Sequence, residues 1–102
     1  MNTGVKTAST EKSDFVRYGQ EAAVKCWFTS KGNPMPLMLK TMSDNEVIAV
    51  NRIEVLSADS RKEFGAVNWF FHCQAPMHGR MLEFFLMFYS KECKWKIFVK
   101  IR

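Results

Sequence analysis

The stretch Arg80–Ile101, RMLEFFLMFYSKECKWKIFVKI, constrains the fold more than any other part of the chain. It reads as two strands joined by a tight turn at Ser90–Glu92. In the second strand Trp95, Ile97, Val99 and Ile101 share one face, and Lys94, Lys96 and Lys100 share the other. The first strand lacks that contrast. Leu82, Phe84, Leu86 and Phe88 form one apolar face, while Met81, Phe85, Met87 and Tyr89 form a second, interrupted by Glu83. A strand that is apolar on both sides belongs at the centre of a sheet, with cover over both faces.

The segments before it read as shorter strands. From the N-terminus, the segment from Ser13 reads in two ways: an irregular lead-in to the first strand, or a short helix capped by Ser13 or Asp14 with Phe15, Tyr18 and Ala22 on its apolar side. Ala22–Ser30 alternates, with Val24, Cys26 and Phe28 opposite Lys25, Trp27 and Thr29. Lys31–Pro34 is a turn by composition, and Met35–Thr41 aligns Met35, Leu37 and Leu39. Pro36 suits an edge or first position because it has no N–H to donate. Met42–Asn45 reads as the next turn.

Glu46–Leu56 reads as a third strand whose parity switches: Ile48 and Val50 share one face, Ile53 and Val55 the other. Asn51–Arg52 is therefore expected to bulge or bend. Ser57–Lys62 reads as a polar connection. Glu63–Gln74 reads as a fourth strand, with Val67, Trp69, Phe71 and Cys73 on one face and Gly65 allowing curvature. Ala75–Gly79 reads as a five-residue hairpin loop. These expectations add up to an all-β chain: a six-stranded antiparallel meander curling into a small SH3-like barrel, with an oligonucleotide-binding-type barrel as the second choice.

A length of 102 residues suits one domain, here 13–102 after a frayed tail over 1–12. A composition 47% apolar, with nine Phe and three Trp, excludes a disordered chain. The absence of a long apolar run and of an N-terminal leader pattern makes a cytoplasmic location the expectation. Three cysteines, Cys26, Cys73 and Cys93, are an odd number without knuckle spacing, which argues against a disulfide scaffold or a zinc site. His72 and Cys73 are adjacent on a strand, so they point to opposite faces and cannot share a metal centre. No phosphate-binding glycine loop or nucleophile–base arrangement is present. The expectation is a protein that is not an enzyme and uses no cofactor or metal.

Two surfaces remain as binding candidates. Met81, Phe85, Met87 and Tyr89 form a protein-interaction face, for another protein or a second copy of this chain, and the abundance of methionine suits an adaptable contact. Lys94, Lys96, Phe98, Lys100 and Arg102 form a basic row with an aromatic in it, the pattern of a weak site for single-stranded nucleic acid. The formal charge of +5 is compatible with either. The first is the preferred reading: a non-catalytic interaction or assembly module whose partner is another protein or a second copy of this chain.

Overall fold

The computed structural model describes residues 19–99. The expected tail, the helical turn built on Phe15 and Tyr18, and Lys100, Ile101 and Arg102 lie outside the described residues. What is described is all-β. Seven strands run β1 Gln20–Phe28, β2 Pro34–Ser43, β3 Glu46–Val50, β4 Glu54–Glu63, β5 Ala66–Met77, β6 Arg80–Tyr89 and β7 Lys94–Val99. Ala22, common to the helical and the strand readings, lies within β1. All seven strands join one antiparallel sheet in the order β3-β2-β1-β7-β6-β5-β4.

The order divides the chain into two local meanders. One is β1–β2–β3 and the other β4–β5–β6–β7, and they meet where Gln20, Glu21 and Ala22 pair with Ile97, Lys96 and Trp95. The first and last strands thus form the middle of the sheet, while β3 and β4 are its two edges. The barrel expectation is not met, because β3 and β4 do not pair and the sheet stays open.

A short connection nevertheless forces strong curvature. Only Asn51–Ile53 separates the two edge strands, a link that reaches about 14 Å when extended. Seven strands laid flat would place those edges about 29 Å apart. The sheet therefore curls until its edges approach at the end carrying Val50 and Glu54. The Ile53 N–H donates to the Leu37 carbonyl at 3.0 Å and fastens the link across β2.

Curling gathers the core on the inner face of the sheet. Leu39, Val50, Phe71, Cys73, Ala75, Phe84, Leu86, Phe88, Trp95 and Ile97 are buried together there. Full burial of side chains such as Phe84 and Leu86 stabilises by roughly 1.5–3 kcal/mol each, relative to leaving them exposed. Thr41 is the buried polar member, and its hydroxyl donates to the Glu21 carbonyl at 3.1 Å. That bond removes the penalty of burying an unpaired hydroxyl.

Several boundaries differ from the sequence expectation, each for a local reason. The expected third strand is two, because the chain bends at Asn51 and crosses from one sheet edge to the other. The expected connection Ser57–Lys62 is part of β4. An edge strand exposed on both faces carries no apolar alternation, so it reads as loop. Ala75–Met77 belongs to β5, leaving a turn of only His78 and Gly79, with φ of 51° and 73°. Phe64 and Gly65 form the equivalent turn between β4 and β5, at φ 51° and 80°. Two left-handed residues in a two-residue loop match the right-handed twist of a hairpin. Gly65 thus serves a turn rather than strand curvature.

In β2 the register shifts opposite Lys25 and Cys26, so that Lys25 pairs with Met38 and Cys26 with Pro36. Leu37 is the extra residue. The shift breaks the expected Met35–Leu37–Leu39 face: Leu39 is buried, whereas Met35 and Leu37 are exposed. Pro36 is buried in a strand flanked by two others, but β3 pairs only with Leu39–Ser43. Among the described residues, Pro36 therefore sits where β2 has no outer neighbour and its missing donor costs nothing.

Candidate protein-interaction face

The outer face of the sheet is built from the residues that alternate with the core. Register fixes its rows across β5, β6 and β7. Phe70 stands beside Met87 and Lys96, His72 beside Phe85 and Phe98, and Asn68 beside Tyr89 and Lys94. Met81 continues the face toward the β5–β6 turn, opposite Pro76.

Side-chain chemistry makes this face apolar at its centre and polar between rows. Phe70, Phe85, Met87, Tyr89 and Phe98 are half-buried, and Met81 is 58% exposed. The His72 ring lies 5.0 Å from the Phe85 ring, and His72 Nε2 is 2.6 Å from Glu83 Oε2. Glu83, the lone acid of β6, is thereby accommodated among aromatic neighbours by a short polar contact. The Tyr89 hydroxyl donates to the Met87 sulfur at 3.5 Å, and Lys96 Nζ sits 5.8 Å from the Tyr89 ring centre. Burial raises the Tyr89 pKa, and the negative charges of Glu63 and Glu92 push it in the same direction. At the β4 side the Arg61 guanidinium lies 4.9 Å from the Phe70 ring centre.

All four residues of the expected protein-interaction face, Met81, Phe85, Met87 and Tyr89, therefore lie on the same side of β6. The basic row is less coherent. Lys94 and Lys96 do share the outer face of β7, but Lys94 Nζ is 3.7 Å from Glu21 Oε2, and Glu21 pairs in register with Lys96. Phe98 is half-buried, and Gly19 lies so close that a Cβ there would come within 2.5 Å of the ring. That ring surface is occupied by the chain itself rather than open to a base.

His72 and Cys73 point to opposite faces, His72 outward and Cys73 into the core. Burial pushes the Cys73 thiol up to about 12. Cys26 is also raised, chiefly by burial, with a hydrogen bond from the Met35 backbone acting the other way. Among the described residues no three His, Cys, Asp or Glu side chains gather as a metal would require.

Two features escaped the sequence. The first is an open groove where β1 splays from β7 beyond Ala22, lined by Val24, Cys26, Phe28, Phe88, Cys93 and Trp95. It results from the different lengths of β1 and β7, which periodicity does not report. The second is Phe64, an aromatic at the tip of a hairpin turn, fully exposed and in the left-handed region. Its signal was the dipeptide Phe-Gly, where Asn-Gly would be ordinary.

No family profile, curated protein or solved structure matches the chain.

Proposed function

We propose that this protein is a non-catalytic interaction and assembly module that docks other protein chains on the outer face of β5, β6 and β7. One observation carries the reading: β6 presents Met81, Met87 and Tyr89 outward from a sheet whose opposite face holds the buried core. Apolar side chains on the solvent side of a sheet are costly to leave in water and are characteristic of contact surfaces. Met81 and Met87 suit a surface that adapts to its partner, since thioether chains change rotamer at little cost.

The test is selection of binders from a displayed peptide library against the immobilised full chain. The reading expects enriched binders whose affinity falls at least tenfold on Met81→Lys, and again on Met87→Glu. Enrichment of nothing, or of binders indifferent to both substitutions, overturns it. Retention of a labelled single strand at about 50 mM salt, lost on Lys94→Glu and Lys96→Glu, would instead favour a nucleic-acid surface, since electrostatic sites are strongest at low salt.

A further inference from the structure

We infer that β4 is a self-complementary edge through which two copies of this chain pair across a two-fold axis into one continuous sheet. This goes beyond the face reading above: it concerns a different surface and names its occupant.

β4 runs ten residues and, among the described residues, pairs on one side only, with β5. Every residue from Leu56 to Glu63 is exposed. Its ladder with β5 slips once, between Val55 and Ser57, so Leu56 is an extra residue and Ser57–Glu63 is the regular stretch. A regular edge with unpaired N–H and C=O groups is a template for another strand.

The charges on this stretch select one partner and one register. In an antiparallel pair, residues directly opposite share both a face and a hydrogen-bonding state. A strand paired with its own copy must therefore place a residue on the two-fold axis. With Asp59 there, two carboxylates meet. With Arg61 there, two guanidinium groups meet and Asp59 faces Glu63. Ala58 on the axis would run both Leu56 bulges into the ladder. Ser60 on the axis has none of these faults. Asp59 then faces Arg61 of the copy, and by symmetry Arg61 faces Asp59, while Ala58 faces Lys62 and Ser57 faces Glu63.

A second observation agrees with that register. Just beyond the two ends of the ladder, Leu56 of one chain meets Phe64 of the other. These are the large exposed apolar residues flanking the stretch, 45% and 100% exposed. Phe64 also holds a left-handed backbone that Asn or Gly would adopt more readily. A contact across the axis supplies a reason for an aromatic at that tip. Among the described residues, neither Asp59 nor Arg61 takes part in an ion pair within the chain. In the single chain Asp59 Oδ1 accepts from the Ser60 N–H at 2.9 Å and Arg61 rests over Phe70, so pairing must exchange the first bond for an Asp59–Arg61 contact across the axis and free the Ser60 N–H for the facing strand. Both lie on the outer face by register with Phe70 and Asn68, so pairing would extend that face across the axis.

Sedimentation of the full chain from about 10 µM to 1 mM tests the inference by a charge-reversal cycle. The wild type is expected to reach the mass of two chains. Asp59→Arg and Arg61→Asp should each raise the dissociation constant at least tenfold, since each converts both symmetric pairs to like charges. The double substitution should return it to within about threefold of wild type. Phe64→Asn should weaken pairing at least threefold without lowering the melting temperature of the monomer. Because Arg61 contacts Phe70, circular dichroism confirms folding, and Asp59→Arg alone carries the test if Arg61→Asp unfolds. A wild type that stays monomeric throughout overturns the inference, as does a dimer indifferent to Asp59→Arg. Either result leaves peptide binding at Met81 and Met87 as a separate question.

Discussion

Phe88 and Trp95 face each other in register across β6 and β7, with ring centroids 4.8 Å apart, and Phe28 meets the Phe88 ring edge-on at 6.3 Å. Phe71 extends the cluster, 5.9 Å from Trp95. One aromatic stack thus joins β1, β5, β6 and β7 on the inner face. Phe88→Ala should cost about 3–5 kcal/mol, the range for a large buried aromatic replaced by a small residue. Urea unfolding followed by far-ultraviolet dichroism measures it. A loss below about 1 kcal/mol would mean that this stack is not part of the core.

The cysteines provide a pH-dependent prediction. Cys93 is exposed, Cys26 half-buried and Cys73 buried. A thiol-reactive dye should label Cys93 first, Cys26 more slowly, and Cys73 only on unfolding. The Cys73 thiol, near 9.0 when unfolded and about 12 when folded, stays protonated in the native state after the unfolded chain has ionised. Its contribution to stability is therefore complete below pH 9 and is lost as pH rises from there toward 12. Equilibrium unfolding of wild type and Cys73→Ala between pH 8 and 10.5 should show a steeper decline for wild type; parallel curves would refute the assignment.

Gly19 and Phe98 provide a coupling test. A Cβ on Gly19 would fall 2.5 Å from the Phe98 ring, so Gly19→Ala must push the ring aside. The substitution should destabilise by about 1–2 kcal/mol, as forced side-chain displacement does. In a Phe98→Ala background the obstruction is gone and the penalty should shrink to a few tenths of a kcal/mol. Equal penalties in the two backgrounds would show that the ring is not what the new methyl meets.

How far the fold could be read in advance depended on which faces are buried. In β5, β6 and β7 one face supplies most of the core, so Phe71 and Cys73, Phe84 and Leu86, and Trp95 and Ile97 are legible by parity, although Val67 on the same face of β5 is exposed. Over Ser57–Lys62 of β4 neither face is buried, and a strand spelled Ser-Ala-Asp-Ser-Arg-Lys reads as a loop. The bulge at Leu37 reversed half of β2 because one extra residue flips every later side chain to the other face. Closure is not legible from parity, which says which residues face inward but not whether two edges come within hydrogen-bonding reach. The outer face was legible from the double apolar character of Met81–Tyr89, whereas the obstruction of Phe98 by Gly19 depends on how the chain enters β1.

The pairing of β1 with β7 bears on how the molecule assembles. Every other neighbour in the sheet is joined by a hairpin, and such ladders close quickly because little chain entropy is lost. Gln20 and Ile97 are separated by nearly the whole described length, so their ladder carries the largest loop-closure cost and is expected to form after the two meanders. The molecule is then a zipper with one late tooth. Weakening that seam should release β1–β3 as a unit before the sheet of β4–β7 dissolves, making the N-terminal meander the first part exposed to proteases and to other chains.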